Sequence, residues 1–173
     1  MRKTDLVPMH QEDVSEAFSK ALKKMEHYCA YQERCPKEVL GKLGSTQLTQ
    51  EAIDHIMVHL TREGYLDEAR FAKSYVLGKF RIKKWGKKRL VNELRQRDIA
   101  TYHIKAALRE IPEKDYLETF GEQAQKRWDS LREPVWAKKK RKFITFLLYR
   151  GWENDLVHGK WNELRDTHNS SKG

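Results

Sequence analysis

The stretch "KFRIKKWGKKR" sets Lys79, Arg81, Lys83, Lys84, Lys87, Lys88 and Arg89 around one tryptophan, Trp85, with no acid among them. Cations at this density suit a grip on phosphate, with counterions released on binding, and an exposed indole adds a stacking surface for bases. The plain structural alternative is a solvated face with Trp85 packed inward. Basic side chains crowded at a helix N-terminus oppose the helix dipole, and this stretch offers them no carboxylate of its own, which favours the anion-binding reading.

A second basic run, "KKKRK", comprises Lys138, Lys139, Lys140, Arg141 and Lys142 and precedes the apolar Phe143, Ile144, Leu147 and Leu148. It reads either as another phosphate grip or as a solvated helical face; a nuclear-localisation reading is formally available. Nothing in either run suggests bidentate contact with base edges, so nucleic-acid binding is expected to be indifferent to sequence. Cys29, Cys35, His55 and His59 resemble a zinc set, since the histidines stand one helical turn apart, but the gap between the cysteines is wider than zinc sites use. A packed Cys29 and solvated histidines are expected instead, with no metal. "GKLGST" lacks the spacing of a phosphate-binding loop, and no nucleophile, base and orienting group stand out. The chain is therefore read as a non-enzyme without a cofactor.

Charge across the 173 residues supports the same direction: 35 Lys and Arg stand against 25 Asp and Glu, for +10 and a pI near 9.6. From Asp67 to Ile111 there are 13 basic and 5 acidic residues, so the middle of the chain holds most of the excess. Polyanionic partners follow, nucleic acid first and an acidic protein groove second. With 39% apolar and 35% charged residues, helices should bury one face each. No segment approaches the roughly 18 apolar residues of a membrane span, and "MRKTDLVPMHQEDVSEAF" lacks a continuous apolar signal core. Two cysteines do not make a secreted disulfide scaffold. A cytoplasmic protein with reduced thiols is expected.

The elements that must carry these cations are helices. Ile53, Ile56, Met57 and Leu60 recur at helical spacing before Gly64, which suits the left-handed residue just past a helix end. Asp67 can then cap a new helix, with Leu66 and Phe71 as a hydrophobic staple across its start. First helices are expected over about 13–32, 67–83 and 112–132, with Pro36, Gly86 and Pro134 near the junctions that follow.

Three segments, "VLGKLGSTQLTQEAIDHIM", "LVNELRQRDIATYHIKAAL" and "FITFLLYRGWENDLVHGKW", align with apolar residues at every matched position. Val39, Leu90 and Phe143 correspond, then Leu43, Leu94 and Leu147, then Leu48, Ile99 and Trp152, then Ile53, Ile104 and Val157, then Met57, Leu108 and Trp161. The pairs five residues apart, Leu48 with Ile53, Ile99 with Ile104 and Trp152 with Val157, are what a staple across a short inter-helix turn requires. The fold is expected to be all-α, a tandem array of three three-helix, helix-turn-helix-like repeats. Residues 1–64 would hold an N-terminal extension and the first repeat, 65–111 the second, and 112–173 the third with a short polar tail. Trp128, Trp136, Trp152 and Trp161 cluster in the third, as core or as partner anchors.

"REGYLDEARFAKSYV", "KKWGKKRLVNELRQRDI" and "YQERCPKEVLGKL" resemble the RecX family, bacterial regulators of the RecA recombinase. Gly64, Tyr65, Leu66, Asp67, Arg70, Phe71 and Ala72 carry the family's "GYLDD-x-RFA" signature, continued by Gly86, Leu94 and Ile99. Cys35 stands where the family usually has a capping serine or threonine, and Asp98 where glycine is common. The resemblance implies an elongated, curved array lying in the groove of the RecA–DNA filament, restraining ATP hydrolysis, strand exchange and filament growth, with weak binding of single- and double-stranded DNA. The filament- and DNA-facing residues expected from the basic stretches of repeats two and three are Lys79, Arg81, Lys83, Lys84, Lys87, Lys88, Arg89, Arg95, Arg97, Lys138, Lys139, Lys140, Arg141 and Lys142, and tandem repeats that bury one another's faces within one chain suggest a monomer. The rival is a stand-alone helix-turn-helix-like DNA-binding protein, and a third reading is a scaffold that binds only protein.

Overall fold

The computed structural model describes residues 11–170. The start of the expected N-terminal extension and the end of the polar tail lie outside those residues. Among the described residues there are nine helices and no strand, as the three- and four-residue apolar spacing required. They are α1 (Gln11–Tyr31), α2 (Pro36–Leu43), α3 (Gln50–Arg62), α4 (Glu68–Lys83), α5 (Lys87–Arg95), α6 (Thr101–Arg109), α7 (Glu113–Ser130), α8 (Trp136–Tyr149) and α9 (Asn154–Ser170). Two compact units divide the chain, one ending at Phe71 and the other beginning at Ala72.

In the first unit, Ala21, Met25 and Cys29 of α1 meet Val39 and Leu43 of α2 and Ile53, Ile56 and Leu60 of α3, with Leu66 closing the cluster. Local chemistry sets each helix boundary. Pro36 occupies the first position of α2, where its missing N–H costs nothing, and the Glu38 carboxylate accepts the Cys35 N–H at 3.1 Å. Thr49 caps α3 by accepting the Ala52 N–H. Gly64 has φ 75, the left-handed conformation that ends α3, and the Leu66 N–H returns to the Leu60 carbonyl at 3.0 Å. The Asp67 carboxylate accepts the Arg70 N–H at 2.8 Å, so the expected cap forms, and Leu66 and Phe71 on either side of it are both buried.

The same positions recur in the second unit. Every residue of the three-way sequence alignment is buried except Leu48, Met57 and Leu108, which are half-buried. The turn before Ile99 passes through Asp98 at φ 59, and the turn before Trp152 passes through Gly151 at φ 87. One backbone step thus serves both repeats, and aspartate is among the few side chains that tolerate it.

Helix α5 has no side-chain cap. Its exposed first-turn N–H groups are satisfied from the third repeat instead: Gly86 donates to the Arg150 carbonyl at 2.9 Å, Lys87 to the Tyr116 hydroxyl at 2.9 Å, and Lys88 to the Gly151 carbonyl at 3.1 Å. This pairing needs bare backbone on both sides. A Cβ on Gly86 would lie 2.3 Å from the Gly151 carbonyl oxygen, and one on Gly151 would lie 2.3 Å from the Arg89 nitrogen. Around the joint, Phe80, Tyr116, Trp152 and Phe120 form a continuous ring cluster. Shared backbone hydrogen bonds and shared core explain why the residues after Ala72 form one unit.

The Tyr116 hydroxyl also donates to Glu153 at 2.7 Å, and burial pushes its phenol far above the usual tyrosine range, so it remains a donor at physiological pH. Replacing Tyr116 with phenylalanine leaves the Lys87 N–H and the Glu153 carboxylate without this partner. A loss of about 1–3 kcal/mol in urea unfolding is expected. An unchanged midpoint would remove the hydroxyl from the account of this joint.

Of the clustered tryptophans, Trp128, Trp152 and Trp161 are core, whereas Trp136 retains 40% of its surface. Trp136 packs on Trp128 and Trp161 at ring distances of 5.9 Å.

Candidate functional site

The cations singled out by sequence divide into two groups by what they touch. In one group the charge is absorbed by the fold. Lys87 pairs with Glu113 at 3.1 Å and lies over the Tyr116 ring. Arg97 pairs with Glu93 at 3.0 Å and covers Tyr75. Burial raises the Tyr75 phenol to about 12, keeping it a neutral donor to the same Glu93 at 3.3 Å. Arg89 sits 3.8 Å from Glu93, donates to the Tyr149 carbonyl at 3.3 Å, and places its guanidinium over the rings of Trp85 and Tyr149. Lys79 lies over Tyr75 and Trp85. Lys139 is turned onto Trp128 and Trp136. Lys142 binds Glu133 at 2.7 Å, and that ammonium hydrogen bond holds the Glu133 carboxyl below the usual range.

The absence of carboxylates within the basic stretch therefore misleads for Lys87 and Arg89. Glu113 comes from the start of α7, in the next repeat, and Glu93 from one turn further along α5. Partners distant in sequence or offset by four residues do not show in a local charge run.

The second group consists of Arg81, Lys83, Lys84, Lys88, Arg95, Lys138, Lys140 and Arg141. Among the described residues, no ion pair, hydrogen bond or ring contact engages these side chains, and all but the half-buried Lys84 are exposed. Lys84 sits at φ 54 in the turn between α4 and α5. Helices α5 and α8 both lack an acid in the first turn and carry cations there, an arrangement that costs helix stability in isolation.

Tyr149 connects the two basic runs. Its ring receives Arg89 at 4.9 Å, and it also lines a groove of about 590 Å³ with Arg127, Arg141, Lys142, Thr145 and Phe146. Phe146 lies between the guanidinium groups of Arg127 and Arg150, at 4.7 and 4.8 Å, and Arg150 donates to the Lys83 carbonyl at 2.8 Å. The joint that orders α5 thus also aligns the cations of α4 and α5 with those of α8. Sequence reasoning missed Arg127, Phe146, Tyr149 and Arg150. The readable signal was the four-residue spacing of Arg141, Thr145 and Tyr149, which places them on one helical stripe.

The Cys29, Cys35, His55 and His59 set does not assemble. Both cysteines are buried thiols, and His59 is engaged with Glu26 at 2.8 Å. Among the described residues, no three His, Cys, Asp or Glu side chains are grouped to hold a metal. No helix among them is long and apolar enough to cross a membrane.

With this geometry in view, comparison with known proteins is decisive about family. Residues 67–108 match the model of the RecX second three-helix domain and residues 113–159 that of the third, together just over half of the chain. The chain belongs to the RecX family. It is 29% identical over 151 residues to the regulatory protein RecX of Finegoldia magna, covering 81% of this chain and 69% of that one. A match to the Yersinia enterocolitica regulatory protein RecX is 31% identical over 114 residues and spans 66% of each chain. The fold is similar to that of two crystal structures. One, of a regulatory protein RecX, gives a TM-score of 0.75 at 20% identity over 91% of this chain and 81% of the other. The other, RecX from Lactobacillus salivarius, gives 0.74 at 24% identity over 87% of this chain and 98% of the other. The two RecX domain models cover α4 to α6 and α7 into α9, the helices that carry both basic runs.

Proposed function

We propose that the chain is a non-catalytic cytoplasmic regulator that binds the RecA–DNA filament and restrains its ATP hydrolysis, strand exchange and growth by occupying the groove. Family membership supports the choice of filament. The observation that carries the choice of surface is the set of exposed cations Arg81, Lys83, Lys88, Arg95, Lys140 and Arg141 on α4, α5 and α8, which make no ion pair among the described residues. Long basic side chains held near one another in water repel, and nothing in the core requires them there, so an anionic partner accounts for them. DNA phosphate and acidic protein surface both fit. The proposed boundaries of the repeats remain near Gly64 and Ile111, each repeat supplying one helix triplet, and the working form is a monomer.

The stand-alone DNA-binding reading predicts tight duplex binding without recombinase. The filament reading predicts weak binding to naked single- and double-stranded DNA that falls steeply with salt, and strong association once RecA is present. Co-sedimentation with RecA filaments on single-stranded DNA separates the two. Recovery of the chain with filaments, at concentrations where naked DNA leaves it in the supernatant, is the expected result. Equal recovery with naked DNA would favour the rival.

A further inference from the structure

The groove on the third repeat has a property that phosphate attraction alone does not explain. Tyr149 keeps 74% of its surface in the last turn of α8 and is one of the residues that line this groove. Beside it run Arg141, Thr145 and Phe146 on α8, and Arg127 reaches in from α7. None of the residues lining the groove is acidic. The half-buried Arg127 lays its guanidinium over Phe146 and donates to the Lys142 carbonyl at 3.4 Å, which fixes its charge at the groove. The guanidinium of Arg89, from α5, lies 4.9 Å from the centre of the Tyr149 ring. Flat ring faces placed among cations, with no acid, match the chemistry of a strand whose bases are unstacked and whose phosphates follow alongside. A duplex keeps its base faces hidden and gains nothing from an exposed ring. An acidic peptide would use the arginines but leave the tyrosine without a role.

We propose that this groove is a single-strand nucleic-acid subsite in which Tyr149 stacks on a base while Arg141 and Arg127 hold the adjoining phosphates. The inference rests on the filament reading for its setting, because a RecA filament is built on a single strand, but it concerns this one groove and does not need the recombinase to be tested.

The test uses the full chain and fluorescence anisotropy with a labelled oligothymidylate, a base-free abasic strand of equal length, and a duplex. Wild-type protein should bind oligothymidylate about tenfold more tightly than the abasic strand, the scale of one base–aromatic stack. Tyr149→Ala should lower oligothymidylate affinity to the abasic level and leave abasic binding unchanged, while Tyr149→Phe should retain it. Tyr149→Phe keeps the ring under Arg89 and should melt with wild type, whereas Tyr149→Ala loses that ring contact and is compared at a temperature where its melt shows it fully folded. Equal wild-type affinity for oligothymidylate and abasic strand overturns the subsite without any variant. So does preference for duplex, or loss of abasic binding in Tyr149→Ala. If those results appear while the chain still co-sediments with RecA filaments, the subsite falls and the filament reading stands. If oligothymidylate binding depends on Tyr149 but filaments do not recruit the chain, the reverse holds.

Discussion

Gly151→Ala is expected to destabilise the protein by about 2–4 kcal/mol. Two independent costs combine. At φ 87 an alanine adopts a backbone region that L side chains disfavour. Its Cβ would also fall 2.3 Å from the backbone nitrogen and the Cβ of Arg89, neither of which is the end of a flexible side chain. Relief requires the α8–α9 turn and the start of α5 to separate, which breaks the hydrogen bonds from Gly86 and Lys88 that satisfy the first turn of α5. Gly86→Ala should act in the same direction from the opposite side. Urea unfolding measures both, and the double variant should lose less than the sum, because each opens the same joint. A Gly151→Ala protein as stable as wild type would show that the contact between the two repeats yields without cost.

Neutralising Arg81, Lys83, Lys84 and Lys88 together, each to glutamine, is expected to reduce affinity for filaments and for single-stranded DNA by roughly 100-fold near physiological salt. If all four contact phosphate, the slope of log affinity against log salt should flatten by about 0.7 per lost contact. Stability should change by no more than about 0.5 kcal/mol per site, since among the described residues these side chains make no ion pair or hydrogen bond. Lys87 and Arg89 are poor choices for such an experiment. They belong to the same sequence run, but their links to Glu113, Tyr116, Trp85 and Tyr149 hold the repeat joint, so substitution there mixes folding with binding. A folded quadruple variant with unchanged affinity and unchanged salt slope would remove this part of the surface from the mechanism.

The helical repeats were legible because their signals are local. The apolar residue at each matched position is buried or half-buried, and Gly64, Asp67, Leu66 and Phe71 act within a few residues of one another. The basic runs were equally visible as composition. Their division into structural and available cations was not, because Glu113 and the Tyr149 carbonyl reach Lys87 and Arg89 only after the second and third repeats pack. The Gly86–Gly151 contact was hidden for the same reason: each glycine alone reads as a turn, and only the folded backbone reveals that the two face one another. Tyr149 escaped notice because its four-residue spacing from Thr145 and Arg141 marks a helical stripe without saying what faces it, and Arg127 and Arg89 come to it only in the folded chain.

The central claim is that the chain acts on the assembled filament and not by coating DNA. RecA-catalysed ATP hydrolysis on single-stranded DNA, with the chain titrated in and anisotropy of the same labelled DNA followed in parallel, tests it most directly. The account predicts that hydrolysis falls at concentrations where DNA alone shows no binding, and that the Arg81, Lys83, Lys84 and Lys88 variant shifts that fall to much higher concentration. Hydrolysis that stays constant until the chain saturates the naked DNA would contradict it.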